Sequence, residues 1–285
     1  MTANGPWFWS ARGIRHRSET LPARAQRRNW VADEAGELVA YAEAEFDWAT
    51  DVEGIGTLYV VVAPERRRRG LGSALFECAA DHLVSNDARE LRTWSLPDGA
   101  AFLERRGFRR AREERVSAVD PRTVDTSRLD ELPRGVRIVP VRELQDRLPE
   151  VHAVYAETAA DMPADHAETN VPYDEWLAET FADPDLTRDG SFVVLVDDAV
   201  AALSWLTVDA SQGLGQQELT GTGRAFRRRG LARLAKLAVM RWAAASSMTR
   251  ISTGNDATNA GMLAINDELG FRPFAVETEW VKSLT

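Results

Sequence analysis

The chain has 285 residues, 44% hydrophobic and 28% charged, an ordinary globular composition for one large domain or two of usual size. Its 35 Lys and Arg against 44 Asp and Glu leave a net charge of −9, which argues against a nucleic-acid partner. There is no apolar run of membrane-spanning length, no basic-then-apolar start of a secretory signal and only one cysteine, so a cytoplasmic protein with no membrane partner and no internal disulfide is expected.

Residues 1–26 are rich in Trp, Arg and Pro and show no clear period. Segments 29–33 and 37–47 read as a hairpin turned at Asp33-Glu-Ala-Gly36, and 57–62 as an apolar strand. A helix follows over 71–84; Cys78, set among Phe76, Ala79 and Ala80, reads as a buried thiol. A strand over 91–96, a helix over 97–106 opened by Pro97-Asp98, and a strand over 108–119 complete the first half. The polar stretch 120–134, with Pro121 and Pro133, reads as the connection; the expected domains are 1–125 and 135–285, with the linker at 126–134.

The second half begins with a strand over 135–141 and a helix over 142–158. An irregular stretch at Met162-Pro163 and a helix near 173–181 come next. A hairpin over 192–196 and 200–208 turns at Asp197-Asp198, and 216–222 is the central strand. A helix over 229–246, a strand over 250–253, a helix over 258–269 and a strand over 274–281 finish the chain. Strands and helices alternate, which predicts an α/β fold: a mixed sheet covered by helices on both faces.

One unit occurs twice. Thr220-Gly-Thr-Gly-Arg-Ala-Phe-Arg-Arg-Arg-Gly-Leu-Ala232 and Val60-Val-Val-Ala-Pro-Glu-Arg-Arg-Arg-Arg-Gly-Leu-Gly72 both run from a strand through an arginine-rich turn into a helix. Small residues let the backbone approach a ligand, the free N–H groups and dipole of the helix start favour phosphate, and arginines add forked donors. A single copy also fits a solvated basic turn; two copies in register argue for an inherited site. His16, His82, His152 and His166 are scattered and lack cysteine partners, so no metal site is expected.

Arg-x-x-Gly-x-Gly/Ala after an apolar strand resembles the acetyl-CoA pyrophosphate loop of the GNAT N-acetyltransferase superfamily. Ala101-Phe-Leu-Glu-Arg-Arg-Gly-Phe108 and Asn259-Ala-Gly-Met-Leu-Ala-Ile-Asn-Asp-Glu-Leu-Gly-Phe271 resemble its closing helix and Gly-Phe. Nearly the whole chain is covered, as two tandem GNAT-like units of the kind seen in actinobacterial proteins of mycothiol-synthase-like architecture. The resemblance implies, in each unit, a mixed and mostly antiparallel sheet flanked by helices, and acetyl-CoA as co-substrate. It places Val62, Arg67, Arg68, Gly70 and Gly72 on the cofactor in the first unit, and Thr222, Arg227, Arg228, Gly230, Ala232 and Asn259 in the second. Leu96 stands where the first unit would need that asparagine. The first unit also has fewer residues ahead of its loop, as though trimmed of the two helices that cover the acceptor side.

A general base should lie on the central strand beside the thioester. Glu218 falls within one residue of the family's usual glutamate position; a solvent-facing strand carboxylate is the other reading. Glu53 is the nearest carboxylate in the first unit. The family's usual tyrosine acid is replaced by Asn266 and Leu103, which puts protonation of the thiolate on another group or on water. Between Leu148 and Thr187 there is no Lys or Arg but ten Asp and Glu, a run that would attract a cationic amine or form a solvated helix face. Asp161 and Asp165 are its expected acceptor-lining members, while Tyr155 and Trp176 read as core. The leading expectation is an acetyl-CoA-dependent acyltransferase acting on a small cationic primary amine, with chemistry in the second unit. The alternative is a non-catalytic acyl-CoA-binding or sensing protein. A monomer is favoured, because tandem units already supply the pairing that single domains reach by dimerising.

Overall fold

The structure, a computed structural model, describes residues 6–162 and 171–284. The chain divides into a C-terminal unit, Met1–Thr20 with Arg115–Ala275, and an N-terminal unit, Leu21–Glu114 with Val276–Thr285. The compact units therefore differ from the stretches 1–125 and 135–285 at both chain ends. The first helix, α1 (Ala11–Thr20), belongs with the C-terminal unit. Among its residues only Ala11 and Ile14 are aliphatic, so no apolar stripe marked it in the sequence; polar contacts hold it in place.

In the N-terminal unit, β1 (Arg28–Glu34), β2 (Glu37–Phe46) and β3 (Ile55–Val62) form an antiparallel meander. Helix α2 (Leu71–Val84) crosses to β4 (Glu90–Ser95), which runs parallel to β3. The short α3 (Ala100–Glu104) leads into β5 (Arg109–Val119), whose residues from Arg115 belong to the C-terminal unit. The core gathers Phe46, Leu58, Phe76, Leu83, Leu91, Phe108 and Trp280. Each such side chain contributes about 1.5–3 kcal/mol on burial. Leu75, Phe76, Ala79 and Leu83 form the inward stripe of α2, which leaves Cys78 on the exposed side: the thiol expected to be buried is solvent-facing.

In the C-terminal unit, β6 (Val136–Pro140) is followed by a 3₁₀ stretch over 141–147 and then α4 (Leu148–Ala160). A single helix over 142–158 does not form, because Leu144 leaves helical geometry (φ −112°, ψ 25°) and Pro149 is suited only to a helix's first turn. Then come α5 (Tyr173–Trp176), which continues in a wider turn, β7 (Phe192–Val196), β8 (Ala199–Asp209) and β9 (Leu214–Thr222). Helix α6 (Leu231–Ala245), β10 (Arg250–Asp256) and α7 (Ala260–Glu268) follow. The strands order β6-β7-β8-β9-β10, antiparallel except for the parallel β9–β10 pair. Trp205 packs with Val151 of α4, Trp176 and Phe181 on one face, while Leu206 packs with Leu237 and Met240 of α6 on the other. Tyr155 and Trp176 are core aromatics, as expected. The final strand, β11 (Arg272–Ser283), begins in this unit; from Val276 it belongs to the N-terminal unit, where Thr278–Ser283 pair antiparallel with Glu90–Ser95.

Candidate active site

The two arginine loops fold alike. In each, a 3₁₀ turn (Pro64–Arg66; Arg224–Phe226) leads to an extended arginine, Arg67 (ψ 161°) or Arg227 (ψ 161°). The next arginine, Arg68 or Arg228, is left-handed at φ 61° in both, and the glycine that caps the helix is left-handed too, Gly70 at 87° and Gly230 at 75°. A non-glycine residue in that region costs about 1–2 kcal/mol. Both helices start without a side-chain cap, and a Cβ on either glycine would meet open space. The free N–H groups, outward dipole and open approach make an anion cradle. Gly72 and Ala232 stand two residues further, with no bulk to block it. Arg67 Nε donates to the Val62 carbonyl and Arg227 Nε to the Thr222 carbonyl, each at 3.2 Å. These arginines thus brace the end of their own strand, whereas Arg68 and Arg228 have no ion pair among the described residues.

Beside each loop, parallel strands part. β9 and β10 pair only at Leu214, Gly215 and Gln216 with Arg250, Ile251 and Ser252, although β9 runs on to Thr222 and β10 to Asp256. β3 and β4 likewise pair only from Ile55–Thr57 to Glu90–Arg92. Beyond those points the strands share no backbone ladder: Thr253 Oγ1 of β10 donates to the Gln217 carbonyl at 3.2 Å, and the wedge opens past it. The β9 wedge has a further feature. Pairing of β8 with β9 shifts so that Ser204 faces Thr220 and Leu206 faces Gln217, which leaves Glu218 and Leu219 together opposite Trp205. This bulge re-aims the strand where it starts to part from β10.

Glu218 sits on the bulge. Thr207 Oγ1 donates to its Oε1 at 2.8 Å and Gln216 Nε2 at 3.4 Å. Oε2 has no such partner among the described residues. The side chain is open to solvent, yet protein atoms lie around it on many sides. Desolvation raises its pKa above the ordinary carboxylate range; the hydrogen bonds from Thr207 and Gln216 oppose this, Asp183 adds to it and Arg17 opposes it. Glu53, by contrast, lies outside any strand on an exposed turn near Arg89.

The acidic run has more local partners than its sequence suggests. Asp161 takes Arg224 at 2.7 Å and also Arg227, and these hydrogen bonds hold its pKa at about 2. Glu157 accepts from the Arg224 backbone, Glu150 pairs with Arg147, and Asp185 pairs with Arg12 of α1. Four of the ten carboxylates of the run are thereby paired from within the unit. Asp161 is tied to the cofactor-type loop and not held open for an acceptor, and Asp165 lies outside the described residues. Asn259 caps α7, its side chain accepting from the Met262 N–H at 3.2 Å. Asn266 is buried, donates to Asn255 at 2.5 Å and leaves its own Oδ1 without a partner. Lys236 of α6 is 1% exposed, its Nζ 5.1 Å from the Phe271 ring centroid, and burial lowers its pKa to about 7. Among the described residues no group of His, Cys, Asp or Glu is arranged to hold a metal ion, and no helix is long and apolar enough to cross a membrane.

A strand, an arginine turn, an uncapped helix and a parted parallel strand make up each unit. Residues 25–110 match the acetyltransferase (GNAT) domain family. The N-terminal unit therefore carries a GNAT-type domain, and the chain as a whole is similar to GNAT N-acetyltransferases. Similar relatives include a mycothiol acetyltransferase of Acidothermus cellulolyticus, 27% identical over 87% of this chain and 77% of the relative. A mycothiol acetyltransferase of Geodermatophilus obscurus is 28% identical over 95% of this chain and 89% of its own. In fold, the chain is similar to a tandem GNAT protein from the clavulanic acid biosynthesis pathway, with TM-score 0.74 at 20% identity over 95% of this chain and 87% of that one. A GCN5-related N-acetyltransferase from Sphaerobacter thermophilus gives TM-score 0.71 at 17% identity, covering 96% and 85%. The two-unit GNAT architecture read from the repeat is therefore the architecture found.

Sequence reading missed α1, Thr207, Gln216 and the bulge. Nothing in spacing marks a bulge, and Thr207 reaches Glu218 only through cross-strand pairing.

Proposed function

We propose that the C-terminal unit transfers an acetyl group from acetyl-CoA to a small primary amine. The observation that carries this reading is Glu218: a carboxylate on the bulge, one oxygen held by Thr207 and the other free, beside a wedge that ends at an anion cradle. The uncapped start of α6, the open space over Gly230 and the free Arg228 suit the cofactor's pyrophosphate, and the unpaired edges of β9 and β10 suit its amide-bearing arm. Glu218 Oε2 takes a proton from the ammonium of the acceptor. The neutral amine then attacks the thioester carbonyl; the adduct loses its surplus N–H proton to solvent and expels the thiolate, and the new C–N bond is kept. Raising the carboxyl's pKa strengthens it as a base for this step. Asn266 cannot serve as an acid; the thiolate of a thiol with pKa of about 8.5 leaves without one and takes its proton from solvent.

The relatives' name makes a mycothiol-type amine one candidate acceptor. The buried Asn266 favours a second reading, an acyl-CoA-binding protein that does no chemistry. One experiment separates them: acetyl-CoA binding by calorimetry, then a screen of primary amines for CoA release. Glu218→Gln is expected to lower turnover by about 10²–10⁴ with acetyl-CoA binding unchanged. Undiminished turnover removes Glu218 from the mechanism, and binding with no turnover on any amine favours the second reading.

A further inference from the structure

The N-terminal segment reaches the surroundings of Glu218 within the C-terminal unit. Ser10 Oγ and Arg12 Nε donate to the two oxygens of Asp185 at 2.5 and 2.7 Å. Gly13 lies against the same carboxylate; a Cβ there would stand 2.4 Å from Asp185 Oδ2, so only glycine permits the approach. His16 Nε2 meets the Glu179 carbonyl at 3.0 Å. The contact that matters most for chemistry is at the segment's start. The Phe8 backbone N–H donates to Gln216 Oε1 at 2.5 Å, and Gln216 Nε2 in turn reaches Glu218 Oε1 at 3.4 Å.

The orientation of that amide follows from the donors around it. A backbone N–H can only donate, so the Gln216 atom facing Phe8 must be the oxygen. The NH₂ is then forced toward Glu218, where it steadies the ionised form. With Phe8 absent, the amide is free to turn and present its oxygen to the carboxylate, which repels the ionised form. We infer that Gln216 is a positioning residue for Glu218 whose amide is set by the Phe8 N–H, making residues 6–20 part of the acceptor side of the site. This rests on the proposed role of Glu218. The groups that face or act on Glu218 are Thr207 of β8, Gln216 of β9, Asp183 of the segment before β7, and Arg17 of α1.

The test uses the full chain labelled with carboxyl-¹³C glutamate, the Glu218 signal being assigned by its loss in Glu218→Gln. In Gln216→Met the Glu218 titration midpoint is expected to rise by about half a unit or more, since a donor to the charged form is gone. In Gly13→Val, which forces α1 off Asp185 without touching Gln216, it should rise in the same direction by less. Cooperative thermal melting in both variants shows that the fold is kept. The acid limb of kcat/KM for acetyl transfer from acetyl-CoA to the best amine in the screen should move with the midpoint. Midpoints unchanged in both folded variants overturn the inference. A shifted midpoint together with full turnover in Glu218→Gln leaves the coupling standing and removes instead the reading of Glu218 as base.

Discussion

The N-terminal and C-terminal units share a cradle but not a site. Loop dihedrals agree closely, the bracing arginine bonds are equal in length, and both parallel strand pairs part after three residues. The differences fall at equivalent positions. Nine residues before its loop arginine the C-terminal unit has Glu218, and the N-terminal unit has Leu58, 1% exposed in the core. Nine residues after it stand Lys236 and Phe76. Pairing of β2 with β3 runs without the shift that makes the β8–β9 bulge. The N-terminal unit thus keeps the backbone of a cofactor loop and fills with apolar side chains the positions where its counterpart carries ionisable ones. A backbone cradle survives such changes because its donors are main-chain groups; a side-chain carboxylate, the base proposed for Glu218, does not.

The sharpest way to break this comparison is to block each cradle. Gly230→Glu puts charge and bulk into the C-terminal loop and is expected to abolish acetyl-CoA binding there. Gly70→Glu does the same in the N-terminal loop. Calorimetric stoichiometry on the pair shows which cradles are in use, and full binding in Gly230→Glu would transfer the cofactor to the N-terminal unit.

The next effect is on stability. Glu279 is 4% exposed and bridges Arg92 at 3.2 Å and Arg112 at 2.6 Å within the N-terminal unit. Glu279→Ala removes the carboxylate that both guanidinium groups share, although Arg92 keeps Glu90 at 2.7 Å, and should cost about 1–3 kcal/mol in chemical denaturation. A loss within error would show that water replaces the carboxylate.

Lys236→Met sharpens the contrast with Phe76. The folded lysine gives up its proton near pH 7, whereas an unfolded one keeps it to about pH 10.4. The unfolded state therefore binds more protons between those values, and wild-type stability should rise with pH across that window. The variant should be more stable than wild type below pH 7, with the gain shrinking toward pH 10. Melting temperatures at pH 6, 8 and 10 check this, and a gain that does not vary with pH would mean that packing alone is responsible.

The smallest effect is at Asp161. Its pKa is depressed to about 2 by Arg224 and Arg227, so the stability from these bonds is present above about pH 4 and lost as pH falls through 2. Asp161→Asn should leave melting at pH 7 nearly unchanged and flatten its decline between pH 4 and 2. An undiminished decline would assign that loss to other carboxylates.

What the sequence determined by itself is whatever is local. A strand, an arginine turn, two small residues and a helix start are contiguous, so their geometry follows from short-range backbone preferences and appears twice. Gly107 and Gly270, left-handed at 82° and 84° after their helices, are legible for the same reason. Glu218 was legible as a carboxylate at a fixed distance from the loop. Only the tertiary structure decided its surroundings: the bulge depends on how β8 registers with β9, Thr207 arrives from the neighbouring strand, and Gln216 is turned by an N–H 208 residues away. Charge counted along the acidic run leaves out the arginines that folding brings to Asp185 from α1 and to Asp161 from the loop. Local backbone geometry is fixed by neighbours in sequence; the electrostatics of a carboxylate are fixed by neighbours in space.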